Sequence, residues 1–424
     1  MLEQIYRETL TRCAPERLVP KVWRDDFPRT VVAIGKCAGA LRDGIDCDDA
    51  FVVIPVGYRK PEKPARVVVG GHPHYTDASF AAGEALLEFV DAHDDITFLI
   101  SGGGSACVEV PLTGFTREKL IRENARLIAS GLPIGEINEA RKKMSAIKGG
   151  KLAQRVRGRC VTLVYSDVSS GALGDVASGP TIPGSDEVHL IADNDTLTGT
   201  AAEIARERGF DVIPWPRQIE GDVEPLAREL AERARELKAK QIIIAGGEPT
   251  TVVRGKGKGG RCSELAVRFA LHCVAPAILP AINRQDSAGR IAGATQKLST
   301  APRKKVSGDC ERRPDRCEAP RRGDAGTSSR SGNDADGGSP PQDSDTFFQG
   351  AVLSALFASS DGVDGNSGAA GILLDPIPTA LDRHGIEIEL GNSNSMIVAT
   401  AIGRAIMIPP AGNNLRDLYL LARG

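Results

Sequence analysis

Several things are scarce in this chain of 424 residues, and each scarcity excludes a class of protein. No run approaches 18 consecutive apolar residues, so no transmembrane helix is expected. The N-terminus, Met1-Leu2-Glu3-Gln4-Ile5-Tyr6-Arg7, lacks the basic and then apolar pattern of a secretory signal. Net charge is nearly absent: Lys+Arg number 53 against 55 for Asp+Glu, a balance of −2. A dedicated nucleic-acid binder carries a large basic excess, so none is expected here. The nine cysteines are odd in number and contain no Cys-x-x-Cys, as reduced thiols in a cytoplasmic protein would. Aromatic residues make up only 4%. Gly (47) and Pro (26), by contrast, are plentiful, which suits either tight strand-to-helix turns or a loose segment.

Both explanations apply. From about Asn283 to Thr346 there is no aromatic residue, and Ile291, Leu298 and Val306 are the only branched aliphatics. Such a composition cannot bury enough apolar surface to offset its ordering entropy, so segment 283–346 is expected to be disordered. Without it about 360 residues fold, which fits two domains.

Elsewhere short β-rich runs alternate with longer helical patterns. Expected strands are Thr30–Ile34, Phe51–Val56, Arg66–Val69, Ile96–Ile100, Cys160–Tyr165, Gln241–Ala245 and Val352–Ala358. Expected helices include Asp77–Ala92, Thr116–Ala129 and Glu224–Lys240, the last so charged that it should face solvent. Nearly continuous apolar strands alternating with helices predict an α/β fold, a doubly wound and mostly parallel sheet. Ligands bind beyond the C-terminal ends of such strands.

Those ends carry chemistry. Ser101-Gly102-Gly103-Gly104-Ser105 follows Ile96–Ile100, and its glycines let backbone N–H groups converge on a phosphate. It is neither a Gly-Lys-Ser/Thr phosphate loop nor a G-x-G-x-x-G dinucleotide loop. Gly35-Lys36, Gly70-Gly71-His72-Pro73, Ser166-Asp167, Gly246-Gly247-Glu248 and Asp361-Gly362-Val363-Asp364-Gly365 follow other strands. Taken singly, each strand end reads first as a turn bearing a solvated charge. Together, cations, carboxylates and glycine loops at one sheet edge are what phosphoryl transfer requires. The block Glu136–Lys151 reads either as a solvated basic helix or as an anion contact through Arg141 and Lys148.

These segments, with Glu-Ile-Asn-x-x-Arg-Lys at 136–142, Ser-x-Ile-Lys-Gly-Gly at 145–150, Ala-Ser-Gly-Pro-Thr at 177–181 and Gly-Gly-Arg at 259–261, run in one order. That combination resembles the glycerate 2-kinases with a C-terminal MOFRL domain. The resemblance implies a Rossmann-like N-terminal domain over 1–238 and a smaller α/β, MOFRL-type domain over 239–424, interrupted by the tract. It implies transfer from ATP, with Mg²⁺, to the 2-hydroxyl of D-glycerate. In that scheme Lys36 and Arg261 stabilise transferred charge, and Asp167 orients or deprotonates the substrate hydroxyl. Ser101, Gly102, Gly103, Gly104, Ser105, Gly259 and Gly260 hold phosphate. Arg141 and Lys148 pair with the glycerate carboxylate, and Glu248, Asp361 and Asp364 serve the metal or nucleotide. A homodimer is compatible with this reading, which needs no nucleic acid or membrane.

Three departures keep alternatives open. Cys262-Ser263-Glu264 stands where the family has Asn-Gln-Glu after Gly-Gly-Arg. The polar tract, either a true insertion or out-of-frame coding sequence, separates Arg261 from Asp361. The final loop, Pro409 to Asp417, lacks the family's threonines, though Asn414 and Asp417 align. A nucleotide-binding homologue with impaired catalysis is the first alternative. A hydroxypyruvate reductase is the second, disfavoured because no nicotinamide-type glycine loop is present.

Overall fold

The computed structural model describes residues 1–132, 134–169, 171–274, 352–409 and 412–424. The expectation of disorder over 283–346 lies outside the described residues. So do two chain positions, 410 and 411, within the altered final loop.

The N-terminal half supplies α1 (Leu2–Arg12), α2 (Pro15–Val22), β1 (Thr30–Ile34), α3 (Ala38–Asp43), β2 (Asp49–Pro55), β3 (Arg66–Gly70) and α4 (Asp77–Ala92). It continues with β4 (Ile96–Ser101), α5 (Gly104–Cys107), α6 (Arg117–Ala129), α7 (Ile134–Met144), β5 (Cys160–Tyr165), β6 (Glu187–Ala192) and α8 (Asn194–Glu207). Its six strands are all parallel, in the order β3-β2-β1-β4-β5-β6. The central strands β1, β4 and β5 are buried almost end to end because helices cover both faces, which explains their unbroken apolar runs.

A second six-stranded sheet follows, built from β7 (Asp211–Pro214), β8 (Gln241–Gly247), β9 (Leu353–Ser359), β10 (Gly371–Leu374), β11 (Arg404–Ile406) and β12 (Asp417–Arg423). Its helices are α9 (Val223–Arg235), α10 (Arg261–Cys273), α11 (Arg383–Gly391) and α12 (Ser395–Ile402). The order is β11-β10-β9-β12-β8-β7, and only β7 and β8 run parallel. The expected parallel arrangement therefore describes the first sheet and not the second. A short apolar strand buried on both faces reads the same in either direction, so periodicity carries no sign of strand polarity. The second sheet also takes its edge strand β7 from residues ahead of position 238.

One apolar core joins the two sheets. Leu2, Ile5 and Tyr6 of α1 and Leu197, Ala201 and Ile204 of α8 pack between Val31, Leu99 and Val161 on one side and Ile244, Leu356 and Leu420 on the other. The Tyr6 hydroxyl donates to the Ser359 carbonyl at 2.6 Å, tying α1 to β9. Beyond the second sheet, α9 and α10 form an outer layer. The solvent-facing expectation for α9 needs correction. Val223, Leu226, Ala227, Leu230, Ala231 and Ala234 form a buried stripe at helical spacing, and the charges occupy only the opposite face.

Candidate active site

Going from β3 to β4, the chain returns to the middle of the first sheet, and β1 and β4 lie side by side with their connections leaving in opposite directions. A crevice opens at the carboxyl ends of such a pair. The two loops there are stitched together. Lys36 N–H donates to the Gly102 carbonyl at 2.8 Å, Cys37 N–H to Ser101 Oγ at 3.1 Å, and Ser101 Oγ–H to the Ile34 carbonyl at 3.2 Å. Gly35 has a φ of +116°, and a Cβ there would lie 2.3 Å from the Ser101 carbonyl oxygen, so only glycine fits.

A cleft of about 1230 Å³ runs from this crevice to the second sheet. Gly102, Gly103 and Ser105 form part of one wall, with Asp167 from the end of β5 and Arg141 from α7. Glu248, Gly259, Gly260 and Arg261 face them from the loops around α10. Asp167 Oδ2 accepts from Asn414 Nδ2 at 2.8 Å. Although Asp167 borders the cleft, its carboxyl is enclosed by Gly102 and Asn414. That burial raises it above its ordinary value, with Lys36 and Asn414 pulling the other way.

Arg261 is aimed by its neighbours. Its Nε and Nη2 donate to the fully buried Asp417 carboxylate at 2.6 and 2.9 Å, and Tyr419 Oη donates to the same group at 2.8 Å. A third nitrogen, Nη1, lies 2.9 Å from Glu248 Oε1. Arg416, whose φ of +66° is left-handed, reaches the same cleft and lies 3.6 Å from Glu248 Oε2 through Nε.

Five of the residues singled out in the sequence lie behind the cleft wall, and so does the Ser101 hydroxyl. Lys36 runs across Gly103 and pairs with Asp361 Oδ2 at 3.0 Å. Burial alone would depress its ammonium; Asp361 above all outweighs that and holds it above its ordinary value. Asp364 accepts from the N–H groups of Cys262 and Ser263, both at 2.9 Å, and so caps the start of α10. Lys148 is enclosed with Glu109, 2.5 Å away, and Tyr75 and Ser145 donate to that same carboxylate. Gly104 faces Ala177 inside the wall. The amides of Gly259 and Gly260 donate to Asn366 Oδ1 and Ser263 Oγ, at 2.7 and 2.9 Å.

Glu248, Asp361 and Asp364 are thus engaged with Arg261, Lys36 and the α10 amides respectively. Among the described residues, no group of three or more His, Cys, Asp or Glu is placed to hold a metal ion. The donor set fits a magnesium ion carried by nucleotide phosphates and touched by one or two carboxylates, and does not fit an all-protein cage.

Residues 1–202 match the family model described as "Domain of unknown function (DUF4147)". Over 297 residues the chain is 31% identical to the glycerate 2-kinase of Pyrococcus horikoshii, which covers 56% of this chain and 68% of that protein. Over 322 residues it is 30% identical to the glycerate 2-kinase of Sulfurisphaera tokodaii, covering 63% and 80% respectively. The chain belongs to the glycerate 2-kinase family. The crystal structure of glycerate kinase from Thermotoga maritima shares its fold, with a TM-score of 0.71, 23% identity and coverage of 99% of this chain and 98% of that one.

In this glycerate 2-kinase family member, sequence reading gave no site role to Asn414, Asp417, Arg416 or His72. Asn414 and Asp417 were visible as a fragment of the altered final loop. Arg416 gave no signal beyond its charge. His72 lines the cleft beside Pro73. Burial, then the positive charges of Lys36 and Arg141, hold its imidazole down to about 4, so it is neutral at physiological pH. Among the described residues, no helix is long and apolar enough to cross a membrane.

Proposed function

We propose that the protein transfers the γ-phosphoryl group of ATP to the 2-hydroxyl of D-glycerate, giving 2-phosphoglycerate and ADP. The observation that carries this reading is the placement of Asp167 over Gly102, opposite Arg261, in a cleft at the sheet's switch point. Family membership supports the same reaction class. Asp167 accepts the proton of the 2-hydroxyl as that oxygen bonds to phosphorus and the bond to the bridging oxygen of ADP breaks. Arg261, fixed by Asp417, neutralises charge on the phosphoryl oxygens, and Lys36, paired with Asp361 behind Gly103, acts only through the wall. Arg141, which lines the cleft and donates through Nε to Asn124 Oδ1 at 3.0 Å, pairs with the substrate carboxylate. Magnesium on the nucleotide phosphates would add charge neutralisation, and of Glu248, Asp361 and Asp364 it is Glu248, which lines the cleft, that would touch it.

The test is a coupled assay for glycerate-dependent ADP formation, with the product resolved as 2- or 3-phosphoglycerate by ³¹P NMR. Turnover giving 3-phosphoglycerate would overturn the regiochemistry. Nucleotide binding without turnover would favour the impaired homologue, and NADH oxidation with hydroxypyruvate would favour the reductase.

A further inference from the structure

Three sequence motifs that phosphoryl transfer leaves unexplained meet in one hydrogen-bond chain. Ser105 closes the Ser-Gly-Gly-Gly-Ser loop, and its Oγ lies 2.8 Å from Oγ of Ser178 in Ala-Ser-Gly-Pro-Thr. Ser178 Oγ lies 2.9 Å from Oδ1 of Asn138, in the Glu-Ile-Asn motif of α7. Asn138 Nδ2 in turn donates to the Asp175 backbone carbonyl at 3.4 Å. Ser178 is fully buried and Asn138 nearly so, whereas Ser105 borders the cleft.

The chain has only one consistent direction. A carbonyl accepts and cannot donate, so the Asp175 oxygen requires the NH₂ end of the Asn138 side chain to face it. The other end, Oδ1, then faces Ser178 and can only accept. Ser178 has a single hydroxyl proton, and it goes to Asn138. What Ser178 offers Ser105 is a lone pair, so the ambiguous contact between the two hydroxyls resolves with Ser105 as donor. Ser105's one proton is therefore committed inside the wall, and its free lone pairs turn to the cleft.

The backbone holds this arrangement in place. Ala177 and Ser178 both adopt left-handed φ values, +54° and +61°, and Gly149 N–H donates to the Ser178 carbonyl at 3.1 Å. Non-glycine residues persist in that region only where surrounding contacts over-determine them.

A phosphate oxygen has no proton to give, and neither has a carboxylate, so neither is a partner for Ser105. A hydroxyl is. We infer that Ser105 is a specificity-determining residue that accepts a hydrogen bond from the substrate hydroxyl that is not phosphorylated, with Ser178 and Asn138 as positioning residues that set its proton. The inference rests on the kinase reading: the reacting 2-hydroxyl gives its proton to Asp167, which leaves the 3-hydroxyl of glycerate as the donor. It replaces the phosphate-holding role that the resemblance implied for Ser105.

The experiment compares wild type and Ser105→Ala in three measurements: KM for D-glycerate, KM for ATP, and the inhibition constant of D-lactate, which lacks only the 3-hydroxyl. Loss of one neutral hydrogen bond should raise the glycerate KM about fivefold. The ATP KM and the lactate inhibition constant should stay within about twofold, which also certifies that the variant is folded. An unchanged glycerate KM, a rise shared equally by lactate, or a rise in the ATP KM would each overturn the inference. Wild-type protein that turns over no glycerate overturns the kinase reading first and this inference with it, so the two failures are distinguishable.

Discussion

The carboxylate of Asp167 occupies the space where a side chain on Gly102 would begin: a Cβ there would lie 1.6 Å from Oδ2 and 2.4 Å from the amide of Asn414 that holds it. Gly102 is thus glycine to admit the proposed base. Gly102→Ala should displace Asp167 by more than an ångström, and misplacement on that scale costs about 100-fold in turnover. The expected outcome is a kcat lowered by about that factor with far-ultraviolet circular dichroism unchanged. A near-normal kcat would mean that Asp167 does not act from this position.

Enclosing Asp167 has a consequence for stability. Its carboxyl is raised in the folded state by burial, so over the pH range between the ordinary carboxylate value and the raised one the native state binds more protons than the unfolded chain. Stability therefore falls as pH rises through that range. Asp167→Asn removes the term and keeps an oxygen to accept from Asn414. It should abolish activity yet melt at a temperature equal to or above wild type, with the gap opening as pH rises from about 4 and then levelling off. Thermal melts from pH 4 to 8 check this; a gap that closes with rising pH would contradict it.

Arg261 and Asp417 pose the opposite case, a charge held by a fully buried partner. Asp417→Asn weakens the two-point grip and leaves the guanidinium with Glu248. Breaking a buried pair costs roughly 3–5 kcal/mol, and the loss here should sit at or below the lower end because Arg261 keeps its second partner. Urea denaturation reads that loss. Arg261→Lys keeps the charge but cannot span Asp417 and Glu248 together, so its kcat should fall at least tenfold with little change in stability.

Much of the first sheet was legible because a strand buried on both faces declares itself as an apolar run, and the glycine loops after β1 and β4 mark the switch point. Thr30–Ile34 and Cys160–Tyr165 needed no adjustment. Of the strands that escaped, β6, β7 and β11 are short or half-exposed at a sheet edge and β10 has only four residues, whereas β12 carries the apolar run Leu418–Ala422 and was legible. For the site, residue type was legible and pairing was not. Asp361 and Asp364 look alike in sequence, yet one holds Lys36 and the other caps α10. Nothing local distinguishes a carboxylate that meets an ammonium from one that meets amides.

Lys148 shows the same limit most sharply, because sequence placed it with Arg141 and the structure encloses it with Glu109. Its side chain is 2% exposed and that of Glu109 1%, so neither charge has water to fall back on. The Tyr75 and Ser145 hydroxyls donate to the same carboxylate at 2.7 and 2.5 Å, and the Val110 amide at 2.9 Å. Lys148→Met removes the ammonium and strands the carboxylate, at a cost of about 3–5 kcal/mol. Adding Glu109→Gln discharges the stranded partner: its carbonyl still accepts from Ser145 and the Val110 amide, and its NH₂ faces the Tyr75 hydroxyl, which can accept. The double variant should therefore be more stable than Lys148→Met alone in urea denaturation, a recovery that a direct role on glycerate would not produce. Its glycerate KM should stay within about threefold of wild type, a change below the roughly 1 kcal/mol that loss of even a neutral hydrogen bond to substrate brings. A large rise in that KM without loss of stability would put Lys148 back on the substrate.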